Sequence, residues 1–169
     1  MAPQILLQSP AESDLDAMLA LNNEHGAEVG KISLPALEFL LRISFHARVT
    51  EERSGFLIGL EQGIDYESPN YLWFAERFDR FAYIDRVVVA ASARRSGLAR
   101  ALYADFFKAA RHAGHPVIAC EVNSEPPNPG SDAFHAAMGF TEIGRAHLPE
   151  RKKSVRYLLR RLTPRPHAH

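Results

Sequence analysis

An apolar strand-like run, an amphipathic stretch and a second apolar run follow one another in the middle of the chain. Residues 81–89 end in three consecutive valines, which is typical of a strand that is buried on both faces. Apolar residues recur at helical spacing over residues 97–113, and Gly114 and Pro116 end that helix. Residues 117–122 are again apolar. Because a strand–helix–strand order builds parallel sheets, the sequence predicts an α/β fold.

Further strands and helices are predicted on both sides of this unit. Ser13 or Asp14 can cap a first helix, and Asn128 followed by Pro129 is a good start for a short one. Gly139 suits the left-handed residue that ends the short helix. The other predicted elements are a strand at 5–8, a helix at about 34–46, a hairpin of 46–51 and 55–60, and final strands at 140–145 and 154–162.

Composition narrows the classes of function. The 20 basic and 20 acidic side chains cancel, so no global field attracts nucleic acid or an anionic membrane. Cys120 is the only cysteine, which excludes an intramolecular disulfide and a cysteine-based metal cluster, and its apolar neighbours predict a buried thiol. We expect no metal site, because no metal-ligand spacing is found among His25, His46, His112, His115 and His147. For His167 and His169 near the C-terminus, metal binding is the second choice after a frayed end.

The length and the termini predict the domain organisation. At 169 residues, we expect a single domain over residues 1–162 and a flexible tail at 163–169. The N-terminal residues show neither a basic leader nor a long apolar stretch. We therefore expect a cytoplasmic protein.

The segment between the predicted hairpin and the valine-rich strand is long and aromatic. At residues 61–80 it exceeds the usual connection in a compact domain, and such segments often form lids or binding loops. Its rings can line a substrate pocket, or they can cover one end of the core, and the sequence leaves both readings open. The rings are those of Tyr66, Tyr71, Trp73, Phe74 and Phe78.

The turn between the valine-rich strand and the next helix has the composition of an anion site. Free backbone N–H groups and the positive end of the helix dipole attract anions at such a helix start. Gly97 and Ala99 keep side chains out of the way, and Arg95 or Arg100 can add charge. The turn lacks the Lys-Ser or Lys-Thr pair of a P-loop and the three glycines of a dinucleotide fingerprint. The alternative is an ordinary helix start with surface arginines.

Four features, in order along the chain, resemble the GNAT superfamily of acyl-CoA-dependent N-acyltransferases. The stretch Arg-x-x-Gly-x-Ala at 94–99 resembles the family's Gln/Arg-x-x-Gly-x-Gly/Ala motif, which binds the pyrophosphate of acyl-CoA. The Cys-Glu-Val stretch at 120–122, then Asn128, then residues 133–140 resemble the family's fifth strand, its asparagine and its closing segment. The similarity is sharpest over residues 83–140.

The resemblance implies a mixed sheet whose fourth and fifth strands splay apart to admit the pantetheine arm of acetyl-CoA. By position, the backbone of the three valines would pair with that arm, the turn would hold the pyrophosphate, and Asn128 would lie near the pantetheine or thioester end. The implied partners are acetyl-CoA as co-substrate and an amine acceptor, and many family members are homodimers. The implied cofactor-binding residues are Val87, Val88, Val89, Arg94, Arg95, Ser96, Gly97, Leu98, Ala99, Arg100 and Asn128.

Two residues are candidates for proton transfer. Glu121 occupies the position of a general-base glutamate in some family members, where a carboxylate can take the amine proton directly or through water. The alternative is a carboxylate that pairs with an arginine or lies on a solvated strand face. His135 stands where many members have a tyrosine as general acid, and an imidazole can donate toward the leaving sulfur. The alternative is a histidine packed in its helix.

The sequence thus predicts N-acetylation of a primary amine of a small molecule or peptide. Transfer would be direct, because no constellation of Cys, Ser or metal ligands supports a covalent enzyme intermediate. One alternative is a catalytically silent acyl-CoA-binding module that keeps the turn and lacks the acid. A nucleic-acid-binding domain that uses the arginines is disfavoured by the neutral charge balance.

Overall fold

The computed structural model describes residues 4–163, which form helices and strands. The strands are β1 (Leu7–Gln8), β2 (His46–Thr50), β3 (Gly55–Glu61), β4 (Ala82–Val89), β5 (Val117–Glu125), β6 (Thr141–Leu148) and β7 (Lys153–Arg161). The helices are α1 (Leu15–Glu24), α2 (Gly26–Val29), α3 (Leu34–Ile43), α4 (Pro69–Ala75), α5 (Leu98–His112) and α6 (Pro129–Ala137). The strands are ordered β1-β2-β3-β4-β5-β7-β6 in one open sheet. The predicted mixed α/β fold is confirmed.

The parallel pair that the strand–helix–strand pattern predicts is formed by β4 and β5. Ala82 lies opposite Ile118 and Tyr83 opposite Ala119. On its other side β5 pairs antiparallel with β7, from Val117 opposite Arg161 onward. The first residues of β5 are buried, whereas Glu121 is only half-buried. A central strand therefore carries the candidate base at the point where its burial becomes partial.

The described residues group into two compact units. The first comprises the residues up to Leu60 together with Ile84–Ala109, and the second comprises Glu61–Tyr83 together with the residues from Ala110 onward. The single domain over residues 1–162 stays a prediction. The tail predicted at 163–169 lies, from residue 164 onward, outside the described residues.

In the first unit, α5 packs against β3 through two glycines. Phe106 covers Gly59 so closely that a side chain there would collide with its ring, and a Cβ on Gly55 would lie 2.5 Å from Leu98. Phe106 and Leu98 are buried, at 0% and 7% exposure. Burying each side chain contributes about 1.5–3 kcal/mol to the free energy of unfolding. This packing fixes the first turn of α5.

In the second unit, α4 and the strands around it share a cluster of buried rings. Trp73 stacks on Tyr157, with ring centroids 4.2 Å apart and planes 16° from parallel. Phe74 meets the same tyrosine edge-on, with centroids 5.4 Å apart. Gly144 of β6 leaves the space that the indole of Trp73 fills. The aromatic residues of α4 thus anchor this helix to the sheet.

The structure differs from the sequence predictions at several elements. The predicted long connection at residues 61–80 contains α4, which Pro69 starts at its first position. The helix predicted to reach residue 46 ends at Ile43, because Phe45 N already bonds to Gly59 O of the neighbouring strand. The valine-rich strand is not buried on both faces, because Val88 is 3% exposed while its two valine neighbours are only half-buried.

Two smaller predictions can be checked directly. Cys120 is buried, as predicted, and burial raises the pKa of its thiol well above the ordinary value. The inert thiol that the sequence favours therefore agrees with its surroundings. Within residues 4–163, no helix is long and apolar enough to cross a membrane.

Candidate active site

The turn before α5 presents an open backbone. Gly97 has φ +82°, a left-handed conformation that favours glycine, and a Cβ built on it would meet nothing within 4 Å. Ala101 N bonds to Gly97 O at 3.0 Å, which begins the helical hydrogen-bond pattern. The N–H groups of the first helical residues have no carbonyl of their own helix to bond. The turn therefore offers donors and free space at the same point.

The charged side chains of this turn are exposed, and the ion pair that one of them makes is weak. Arg94, Arg95 and Arg100 are all exposed. Arg94 Nη2 lies 3.9 Å from Glu28 Oε1, and both side chains are more than half exposed, so this ion pair contributes little. The Ser96 hydroxyl donates to the Ala93 carbonyl and closes the turn. The arginines are thus available to an anion that approaches the start of α5.

The candidate base Glu121 is held by neutral donors. Its Oε2 accepts a hydrogen bond from the hydroxyl of Tyr83 at 2.7 Å, and its Oε1 accepts one from Asn70 Nδ2 at 3.2 Å. Tyr83 and Asn70 are 1% and 4% exposed. The carboxylate is therefore held on both oxygens.

A third side chain extends this arrangement. The hydroxyl of Tyr157 donates to Asn70 Oδ1 at 2.9 Å. Burial raises the pKa of Tyr157, and the charge of Glu121 adds to the effect. Its hydroxyl therefore stays protonated at neutral pH and remains a donor. A chain of hydrogen bonds runs from Tyr157 through Asn70 to Glu121.

The residues predicted around α6 serve the helix itself. Asn128 is the N-cap, as predicted, and its Oδ1 accepts from Ser131 N at 3.2 Å. His135 is 6% exposed, and its Nδ1 lies 2.8 Å from the carbonyl oxygen of Ser131. Since a carbonyl only accepts, Nδ1 carries the proton, and the neutral ring then has a lone pair on Nε2. Gly139 follows with φ +89°, also as predicted.

The surroundings of His135 favour its neutral form. Burial lowers its pKa, while the hydrogen bond to the Ser131 backbone acts in the opposite direction. Its ring meets Phe134 and Phe140 edge-on, with centroids 5.3 and 5.4 Å apart. A proton donor at Nε2 requires the imidazolium, which burial disfavours. These contacts support the packed histidine, and the acid role stays a prediction.

The aromatic segment divides between the two readings that the sequence left open. Tyr71 and Phe74 are 1% and 0% exposed and belong to the core. Trp73 is half-buried, and the Arg77 guanidinium lies 3.9 Å from the centre of its ring. The rings of Tyr71 and Phe74 therefore fit the interpretation in which the segment covers the core. A pocket wall formed by Trp73 stays a prediction.

Comparison with known proteins identifies the family. The model of the acetyltransferase (GNAT) family matches residues 34–140, well over half of the chain. This chain belongs to the GNAT family. No curated protein matches the sequence.

Solved structures share the fold of this GNAT protein at low identity. A ribosomal-protein-alanine N-acetyltransferase from Brucella melitensis has 22% identity and a TM-score of 0.68, over 93% of this chain and 99% of its own. Ard1 from Thermoplasma volcanium has 16% identity and a TM-score of 0.73, over 96% and 99%. YncA, a putative acetyltransferase from Salmonella typhimurium solved with acetyl-CoA, has 17% identity and a TM-score of 0.68, over 99% of each chain.

Part of this candidate site was not predicted from the sequence. The sequence indicates Glu121 but none of its hydrogen-bond partners. Ser68 and Pro69 form a recognisable helix start that could have revealed α4, and with it the placement of Asn70. Tyr83 and Tyr157 carry no such local signal, because a tyrosine in a strand is most often a core residue.

The two roles of His135 predict different results for His135→Ala. Because its pKa is lowered in the folded protein, its contribution to stability is complete above pH about 6.5 and is lost as the pH falls below that value. We expect the variant to lose less stability than the parent between pH 7.5 and 5.5 in urea unfolding. If the histidine only packs in its helix, turnover stays within about tenfold of the parent, because the Nδ1 proton is directed at Ser131.

The control is His112→Ala, which removes an exposed histidine at the end of α5. We expect it to unfold like the parent at both pH values. If His135→Ala lowers turnover about 10²- to 10⁴-fold while it binds acetyl-CoA normally, the histidine is the general acid and the packing interpretation is wrong.

Proposed function

We propose that this GNAT protein transfers an acetyl group from acetyl-CoA to the primary amine of a small molecule or peptide. The observation that carries the proposal is the carboxylate of Glu121, held by Tyr83 and Asn70. Only the neutral amine is a nucleophile, yet a lysine-like amine has a pKa of about 10.4 and an α-amino group about 8. A fixed carboxylate that can accept a proton meets this need.

In this proposal the first unit binds the cofactor. The backbone N–H groups of residues 95–100 hold the pyrophosphate, and Arg94, Arg95 and Arg100 add positive charge. The backbone of the three valines, residues 87–89, pairs with the pantetheine arm. By the family resemblance, Asn128 is assigned to the thioester end of acetyl-CoA. The open turn at Gly97 supports the pyrophosphate assignment, and family membership supports acetyl-CoA as the donor.

The proposed reaction is a direct transfer. The amine nitrogen forms a bond to the thioester carbon, the carbon–sulfur bond breaks, and the amine proton passes to Glu121 directly or through water. The leaving group is the CoA thiolate, and a free thiol has a pKa of about 8.5. The thiolate therefore takes its proton from solvent near neutral pH, or from His135 if that residue is charged.

The acceptor class remains wide in this proposal. One similar structure is that of a ribosomal-protein-alanine N-acetyltransferase, and another is that of the NatC complex bound to a Gag peptide and CoA. Peptides with a free N-terminus therefore belong in an acceptor library beside lysine derivatives and small amines. The cytoplasmic location and the homodimer stay predictions.

Release of free CoA tests the proposal. We expect acetyl-CoA mixed with the protein and the amine library to give amine-dependent CoA thiol, read with a thiol reagent, and an acetylated amine, read by mass spectrometry. Omitting the protein and omitting each amine are the controls. Tight acetyl-CoA binding without amine-dependent release would instead identify a silent acyl-CoA-binding module.

A further inference from the structure

We infer that Asn70 is a positioning residue for the proposed reaction and that Tyr157 sets the orientation of its amide. The inference rests on the proposed function, because it assigns a task to the neighbour of the proposed base. Asn70 bonds on one side to Glu121 and on the other to Tyr157. It lies outside the turn and the motifs that the family resemblance covers.

The backbone brings Asn70 to this place because a helix begins immediately before it. Pro69 occupies the first position of α4, so Asn70 follows within the first turn and enters the ring cluster of the second unit at 4% exposure. A buried amide is unfavourable unless its polar atoms are hydrogen-bonded. Packing alone would be served by an apolar residue of similar size. The presence of an amide at this buried position is therefore explained by its hydrogen bonds to Glu121 and Tyr157.

The orientation of the amide is determined by its two neighbours. Tyr157 donates to Oδ1, and Nδ2 donates to the carboxylate of Glu121. A flipped amide would place its oxygen against an oxygen of the Glu121 carboxylate, so two acceptors would face each other and the donor to Glu121 would be lost. Tyr157 cannot easily move away, because it is 1% exposed and its ring is stacked on Trp73. The donor that faces Glu121 is thus fixed by side chains that are themselves immobilised.

Holding both oxygens of Glu121 fixes the plane of its carboxylate. Tyr83 holds Oε2 and Asn70 holds Oε1. A base must lie within hydrogen-bond reach of its proton, and a misplacement of about 1 Å can lower a rate by about 10²-fold. Other charged or titratable groups also reach this cluster. They include Arg77 and Arg151, which act on Tyr157, and Cys120, which the charge of Glu121 affects. Tyr71 meets Tyr83, with ring centroids 5.7 Å apart.

The test is the pH profile of Asn70→Asp. The substitution keeps the size of the side chain and the acceptor for Tyr157, but it turns an oxygen toward Glu121 in place of the donor. In the variant, the introduced carboxylate and that of Glu121 would lie within hydrogen-bond distance of each other. Two carboxylates this close share a proton until the pH rises above their raised pKa. We expect kcat/KM at pH 7 to fall about 10- to 100-fold, and the ratio of parent to variant to shrink between pH 7 and 9. The KM for acetyl-CoA should stay unchanged.

Two further variants complete the experiment. Tyr157→Phe keeps the stacked ring and releases the amide, so we expect a smaller loss of kcat, about three- to tenfold, with an unchanged KM for acetyl-CoA. Tyr103→Phe is the matched control, because Tyr103 on α5 is equally buried, at 1% exposure, and lies in the other unit. It should retain the parental pH profile. If Asn70→Asp does not fold, Tyr157→Phe still tests the positioning role.

The outcomes separate this inference from the function on which it rests. If the parent releases no CoA with any amine, the proposed function fails. If the parent is active and Asn70→Asp loses the same factor at every pH, or nothing, Asn70 has only a packing role and the inference is overturned. Equal activity of Tyr157→Phe and the parent would also overturn the orienting role of Tyr157.

Discussion

Gly97→Glu is expected to abolish measurable binding of acetyl-CoA while the protein stays folded. The glutamate would place bulk and negative charge over the backbone N–H groups that are proposed to hold the pyrophosphate. Like charges in contact cost several kcal/mol, which corresponds to a loss of affinity on the order of 10²-fold or more. Isothermal calorimetry with acetyl-CoA measures the loss directly.

Gly97→Glu also strains the backbone, and a second glycine of the chain provides a control for this effect. Gly97 has φ +82°, so any side chain there is held in the left-handed region at a cost of about 1–2 kcal/mol. Gly63 has the same φ of +82°, is also exposed, and also has open space around its Cβ position. Gly63→Glu should therefore show the same loss of stability with parental affinity for acetyl-CoA. Parental affinity in a folded Gly97→Glu would show that the cofactor binds elsewhere.

The sequence predicted those elements of the fold that are marked by residues within or next to the element itself. The period of the apolar residues and the glycines at both ends were enough to place α5, which runs over Leu98–His112. Asn128 was likewise recognisable as a cap from its own side chain and the proline after it. The aromatic segment was harder to predict, because its rings matched both a binding loop and a segment that covers one end of the core.

The contacts around Glu121 could not be predicted, for a physical reason. Asn70 is 51 positions from Glu121, and Tyr157 is 87 positions from Asn70. Neither separation leaves a local pattern in the sequence. The position of a charged residue in an apolar strand indicated that Glu121 needed partners. The identity of these partners depends on the pairing of distant strands and on α4, which lies in the segment that the sequence predicts to be a long connection.

Glu121→Gln is expected to lower turnover by about 10²- to 10⁴-fold without weakening the binding of acetyl-CoA. Glutamine has the same shape, and its side-chain oxygen can still accept from Tyr83 or Asn70, so the fold should be retained. What it lacks is the capacity to take a proton from the amine. Steady-state kinetics with the most active amine of the library, together with calorimetry, separate the two effects.

Glu125→Gln is the matched control, because it removes the same charge from the exposed end of the same strand and should leave turnover unchanged. The loss in Glu121→Gln should be greatest at low pH, where the amine is most fully protonated. It should shrink once the pH approaches the pKa of the amine itself, near about 8 for an α-amino group and about 10.4 for a lysine-like amine. The pH at which the loss disappears therefore reports the class of acceptor. Parental turnover of Glu121→Gln between pH 6 and 9 would show that this carboxylate is not the base.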